Sequence, residues 1–226
     1  MRRCLLLALS LLSTSALAAD DLPTLDGAGR ITIEAGWRLT TNQTFYDSFY
    51  AFPDYQGLSR AALSPGGPYL AGSFGYGVTQ NIELGIDLFT TGEQLHLTNA
   101  PTLTNITYGA LVGVRFQTAL DVLAANGLVP FIGLSTGPTL SYSSAEGVGK
   151  RELSTQCFVG MVGATLRLSA QWGITAEYRL AFARGQAAFL NQDAFKGLAS
   201  FNAGGNWIAL GVTYLIAPSP NTHPLP

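Results

Sequence analysis

Large apolar residues recur at every second position through much of the chain. The clearest stretch is Ile82-Glu83-Leu84-Gly85-Ile86-Asp87-Leu88, where aliphatics alternate with acids and glycine. A period of two puts alternate side chains on opposite faces of a β-strand. The same alternation predicts eight strands, at 30–40, 68–79, 81–91, 104–117, 129–143, 154–169, 172–184 and 206–216. In the first, Ile31, Ile33, Ala35, Trp37 and Leu39 oppose Thr32, Glu34, Gly36 and Arg38. In the seventh, Trp172, Ile174, Ala176, Tyr178, Leu180 and Phe182 oppose Thr175, Glu177 and Arg179. The fifth is noisier, because Pro130 and Pro138 interrupt it.

The connections alternate as well. Thr79-Gln80-Asn81 and Ser169-Ala170-Gln171 are tight turns, and the link 118–128 is moderate. Links 41–67, 92–103, 144–153 and 185–205 are long or rich in turn residues. Short turns at one end and long loops at the other, with an even strand number, predict an all-β, eight-stranded antiparallel up-and-down transmembrane barrel. That topology puts both termini on the periplasmic side and the long loops outside the cell.

Composition changes the picture by excluding a soluble protein. Charged residues are 12% of the chain, against roughly 25% in soluble domains. A soluble lipocalin-like barrel has its apolar face inward. Here the polar face is Gly, Thr, Ser and Ala with sparse charges, which suits a narrow interior. Those charges are Glu34, Arg38, Glu83, Asp87, Arg115, Arg167, Glu177 and Arg179, four acids and four arginines. Facing lipid near the bilayer midplane, an arginine costs roughly 2–4 kcal/mol; inside one barrel the two signs form an interior ion network, the arginine fork bridging carboxylates. Transmembrane helices are excluded, since no apolar run outside the N-terminus reaches the length they need.

The N-terminus reads as an export signal. Met1-Arg2-Arg3 precedes an apolar run over 4–12, and Ala16-Leu17-Ala18 is a small-x-small cleavage pattern. The expected organisation is a signal peptide over 1–18, a periplasmic lead-in over 19–29, the barrel over 30–216 and a Pro-rich periplasmic tail over 217–226. Cleavage takes two positive charges from a formal net charge of −2, leaving a mildly acidic chain with no basic patch for nucleic acid. Cys4 departs with the signal, so Cys157 has no intrachain disulfide partner.

Aromatics supply two further expectations. With the first strand running outward, Tyr76, Phe116, Trp172 and Tyr214 share the periplasmic level of the lipid face, forming an interfacial girdle. Trp37, Tyr108, Tyr142, Phe158 and Phe182 occupy the outer level. In the first long loop, Phe45, Tyr46, Phe49, Tyr50, Phe52 and Tyr55 fall within eleven residues, interleaved with Asp47 and Asp54. Such a cluster marks a contact site or folds over the barrel mouth, where Phe189, Phe195 and Phe201 of the fourth long loop could join it.

Catalytic chemistry has little to stand on. The two histidines are His96 in a loop region and His223 in the tail. His96 is followed by Thr98 rather than by the serine of a His-x-Ser lipid deacylase, and no feature draws Ser141, Ser143 or Ser144 toward it. No Cys/His metal spacing and no phosphate loop occurs, and Asp47, Asp54 and Asp193 read as turn and solubility residues. No enzyme activity, cofactor or metal is expected.

The stretch Gly75-Tyr76-Gly77-Val78-Thr79-Gln80-Asn81-Ile82-Glu83-Leu84-Gly85 resembles the strand–tight turn–strand element of small bacterial outer-membrane barrel proteins of the OmpA-barrel, OmpX and OmpW type. The likeness spans the chain after the signal and is one of pattern. It implies insertion into outer-membrane lipid by the barrel-assembly machinery, usually guided by an aromatic ending the last strand. This chain departs there, since Tyr214 is followed by the tail. The function expected is a structural or surface-interaction role with a filled interior, and an envelope protein as a possible loop partner. A narrow channel for small or apolar solutes is the alternative, and a lipid-modifying barrel enzyme the second.

Overall fold

A computed structural model describes residues 24–122, 127–145, 149–187 and 200–218. The export signal, most of the lead-in, the tail beyond 218, and Phe189, Asp193, Phe195 and His223 lie outside the described residues. Eight antiparallel strands close on themselves. They are β1 (Gly29–Leu39), β2 (Gly67–Gly77), β3 (Ile82–Leu97), β4 (Ala100–Gln117), β5 (Leu128–Ala145), β6 (Gly149–Arg167), β7 (Trp172–Phe182) and β10 (Gly205–Ile216). The helix α1 (Gln43–Tyr50) lies in the first long loop, and a small hairpin of β8 (Arg184–Gln186) and β9 (Ser200–Asn202) in the last. Each strand pairs with its chain neighbour, and β10 closes the ring on β1, with Gly29 opposite Ile216.

The apolar face points outward along every barrel strand. Leu134 and Leu210 are each 65% exposed, and Ile33 66%. A water-soluble chain would not leave a continuous aliphatic wall bare; a lipid-facing barrel wall has this pattern. The opposite face is buried without being apolar: Thr32, Glu34, Ser73, Asp87, Arg115, Thr165, Thr175 and Thr213 all lie inside.

The two tight turns share one construction. Val78 and Thr79 N–H both donate to Ile82 O, and Leu168 and Ser169 N–H both donate to Trp172 O. The Thr79 hydroxyl accepts from the Asn81 and Ile82 amides, and the Ser169 hydroxyl from those of Gln171 and Trp172. Each hydroxyl satisfies amides that a turn leaves free of the ladder.

Two expected loops are largely strand. The link expected over 92–103 is a β3–β4 hairpin turning at Thr98–Asn99, where Asn99 takes a left-handed φ of 57°. The link expected over 144–153 narrows to residues 146–148 between β5 and β6. Inward alternation continues through Thr91, Glu93 and Leu95. The outward face, however, turns polar at Gln94, His96 and Thr102, and at Glu152 and Ser154. Above the apolar band a strand loses its outward signal while keeping its hydrogen bonds.

Candidate functional site: the barrel interior

The interior is packed in layers, described here from the short-turn end to the long-loop end. Nearest the short turns, Arg30 of β1 donates from Nε and Nη2 to the Glu83 carboxylate of β3, at 2.8–3.1 Å. Arg115 of β4 lies 3.8 Å from the same carboxylate, 3.1 Å from Glu177 of β7, and 3.8 Å from the Phe131 ring centroid. Arg179 of β7 then pairs with Glu177, with Asp87 at 2.8 Å and with Glu34 at 3.5 Å. Seven side chains from four strands thus form one buried network. Alongside it, Thr32, Thr213, Thr175 and Thr165 pass hydrogen bonds across β1, β10, β7 and β6 at 2.6–2.9 Å. Glycine makes the room: a Cβ on Gly75 would lie 2.4 Å from the Glu83 carboxylate, and one on Gly211 2.6 Å from Glu34 Cγ.

Above the ions lies an aromatic layer. Trp207 of β10 is fully buried, its ring 4.9 Å from those of both Tyr69 and Phe89. Leu111, Val159, Ala181 and the thiol of Cys157 complete it. Cys157 is the only cysteine among the described residues.

The mouth at the long-loop end is closed by α1. Phe45, Tyr46 and Phe49 are at most 2% exposed. The Phe49 ring packs 4.3 Å from that of Tyr55 and 5.0 Å from that of Tyr50, and the Tyr50 hydroxyl accepts from the amides of Ala61 and Thr98. Burial, with the nearby Glu93 charge, pushes the Tyr46 phenol up to about 12. A polar latch fixes this plug. Glu93 of β3 accepts from Arg38 Nη2 at 2.6 Å, from Asn42 Nδ2 at 2.8 Å and from the Ser64 hydroxyl at 2.6 Å. Asn42, in left-handed conformation just before α1, accepts in turn from the Asn202 amide.

All eight residues expected inside the barrel are buried there, but they do not form one network. Glu34, Glu83, Asp87, Arg115, Glu177 and Arg179 gather with Arg30, which the sequence reading left out although it shares the parity of Thr32 and Glu34. Arg38 stands apart and pairs with Glu93, a residue assigned to a loop because the strand outlasts its apolar outward face. Arg167 makes no ion pair among the described residues; its Nη2 donates to Ala170 O.

Of the two expectations for Phe45, Tyr46, Phe49, Tyr50, Phe52 and Tyr55, a contact site or a fold over the barrel mouth, the rings take the second. The first four are buried in the mouth, and Phe52 and Tyr55 pack half-buried against them. Their spacing was the available signal, since i, i+1, i+4, i+5 puts four rings on one helical face. Phe201 joins this core. Of the aromatics expected at the short-turn end, Tyr76, Phe116 and Trp172 are exposed on the outer wall, and Tyr214 lies half-buried with its ring 4.9 Å from Trp172. His96 is exposed with Nδ1 3.2 Å from Thr102 Oγ1, whereas Ser141 and Ser143 point into the barrel; the structure does not bring them together. Asp47 forms an exposed pair with Arg60 at 2.5 Å.

A closed eight-stranded barrel with an apolar outer wall and a packed polar interior defines a small barrel of the outer-membrane type. Solved structures of that fold resemble it over most of the chain. The outer membrane protein OprG from Pseudomonas aeruginosa matches with a TM-score of 0.58 and 10% identity, over 88% of this chain and all of that one. Neisserial surface protein A matches with a TM-score of 0.53 and 12% identity, over 84% and 97%. Ail, the attachment invasion locus protein of Yersinia pestis, matches with a TM-score of 0.50 and 12% identity, over 84% and 99%. No protein-family model and no curated protein matches the sequence.

Proposed function

We propose that this chain is a non-catalytic protein of the bacterial outer membrane, with its long loops outside the cell and both termini in the periplasm. It serves as a plugged structural or surface-contact barrel of the envelope. The observation that carries this reading is the filled interior: ion network, aromatic layer and latched helix follow one another along the axis. An eight-stranded barrel is just wide enough for its own side chains to fill. The apolar wall, with aromatics near both its edges, fits outer-membrane lipid. The barrel-assembly machinery is the proposed route of insertion, on the likeness to small outer-membrane barrels, with Tyr214 proposed as an internal signal ahead of the tail. Because the aromatic cluster is spent on the plug, contact with an envelope protein or external surface falls to the polar outer parts of the loops.

Against the alternative of a narrow channel stands the tightness of the wall. The β4–β5 ladder skips Ala110 and Leu111 opposite Gly137 and Pro138. There the strands approach so closely that a Cβ on Gly137 would lie 2.0 Å from Ala110 O, so the skipped pairing leaves no sideways opening at that point. The test is single-channel recording of heat-modifiable, folded protein in planar bilayers. A silent bilayer is expected; discrete, reproducible openings would replace this reading by the channel.

A further inference from the structure

Two depressions meet on the outer wall where β6 and β7 reach the long-loop end, the lower one extending across β5 and β4 to β3. The lower is an apolar groove of about 770 Å³ lined by Leu84, Val112, Leu134, Phe158 and Leu180. Its floor is Gly160, above which a Cβ would meet only Leu134 Cδ2, at 3.9 Å. The upper is a cleft of about 640 Å³ between the start of α1 and the β8–β9 hairpin. Its lining is rich in hydroxyls and amides, including Thr41, Gln43, Thr44, Gln156 and Asn202, and its one charge among the described residues is Arg184. Phe182, 61% exposed, borders both depressions. Gln156 of the cleft donates to the Thr136 hydroxyl of the groove at 2.8 Å. The two are therefore one continuous surface that changes from apolar to polar at the level of Phe158 and Phe182.

We infer that this surface binds one membrane lipid, an acylated saccharide phosphate, with an acyl chain in the groove and the sugar head in the cleft. The argument is complementarity on both halves. A soluble sugar leaves the groove unused, and a lipid without a polyol head leaves the row of neutral donors and acceptors facing only water. Neutral hydroxyls and amides suit the several hydroxyls of a sugar ring, and the lone guanidinium, with no carboxylate lining the cleft among the described residues, suits a phosphate. The shared Phe182 places the change of polarity where an acyl chain joins its head. The inference rests on the membrane reading with the long loops outward.

The test uses the full folded protein in phosphatidylcholine nanodiscs doped with either lipid A, a phosphorylated and acylated disaccharide, or phosphatidylglycerol. The gel-shift assay for folded barrel is run first and reports on the membrane reading alone. Native mass spectrometry after detergent release then reports on the lipid site. One lipid A per barrel is expected to persist. Gly160→Leu, which fills the groove from the lipid side, and Arg184→Gln, which removes the phosphate partner, should each lower that retention about tenfold. Leu70→Phe on β2, across the barrel, should leave it unchanged. Equal retention of phosphatidylglycerol and lipid A, or wild-type retention by both site variants, overturns the inference even where every variant folds and inserts.

Discussion

The two ends of the barrel interior are closed by different means. Toward the short turns the closure belongs to the wall itself: Arg30, Glu83, Arg115, Glu177, Arg179, Asp87 and Glu34 project from strands whose hydrogen bonds already fix their positions. Toward the long loops it is an insert, α1, whose rings fill the mouth and whose attachment converges on Glu93. An ion network on a rigid ladder cannot leave without unfolding the barrel. A helix on a loop can, if its latch opens. The same lumen thus combines a closure built into the wall with one carried on a loop, and substitutions should separate them.

The largest effect is expected from Arg179→Met. Arg179 faces three carboxylates, and its loss leaves uncompensated charge in a buried site, a class of change that costs about 3–5 kcal/mol. Urea unfolding followed by the folded-band gel shift should show the whole barrel weakened; an unchanged midpoint would mean the network adds nothing to the wall. Glu93→Gln is expected to cost less, about 1.5–3 kcal/mol for a lost charged partner, and to cost it locally. Residues 40–66 should become cleavable by protease while the barrel midpoint scarcely moves. If both quantities shift together, the plug and the wall are a single cooperative unit. The smallest effect belongs to the turns. Thr79→Ala and Ser169→Ala should each cost about 0.5–1.5 kcal/mol, and because the two hydroxyls share no partner their effects should add in the double variant.

The difference between the ends also marks what the sequence makes legible. Which face each strand buries follows from parity alone, and parity correctly placed Glu34, Asp87, Arg115 and Arg179 inside. It says nothing about partners, because the stagger between strands decides which charges share a height. Arg38 and Arg179, both inward and both opposite Trp207 in the strand pairing, end in separate clusters for that reason. Boundaries fail where lipid ends. Beyond that level the outward residues no longer need to be apolar, so β3 and β4 continue to a hairpin that reads as a loop. The plug was hidden differently. Phe45, Tyr46, Phe49 and Tyr50 carry helical spacing over only eight residues, and whether such a face meets solvent, a partner or the barrel's own mouth depends on how the long loop folds back.

Cys157 gives this arrangement a clock. Its side chain is completely buried in the core cluster that also holds Trp207 and the rings of α1. Burial, together with the enclosing apolar groups, means that a thiol-directed dye has no route to it while the helix is seated. The rate at which such a dye labels the intact protein is therefore expected to report how often the packing around Cys157 is breached, without any probe having to be engineered into the chain.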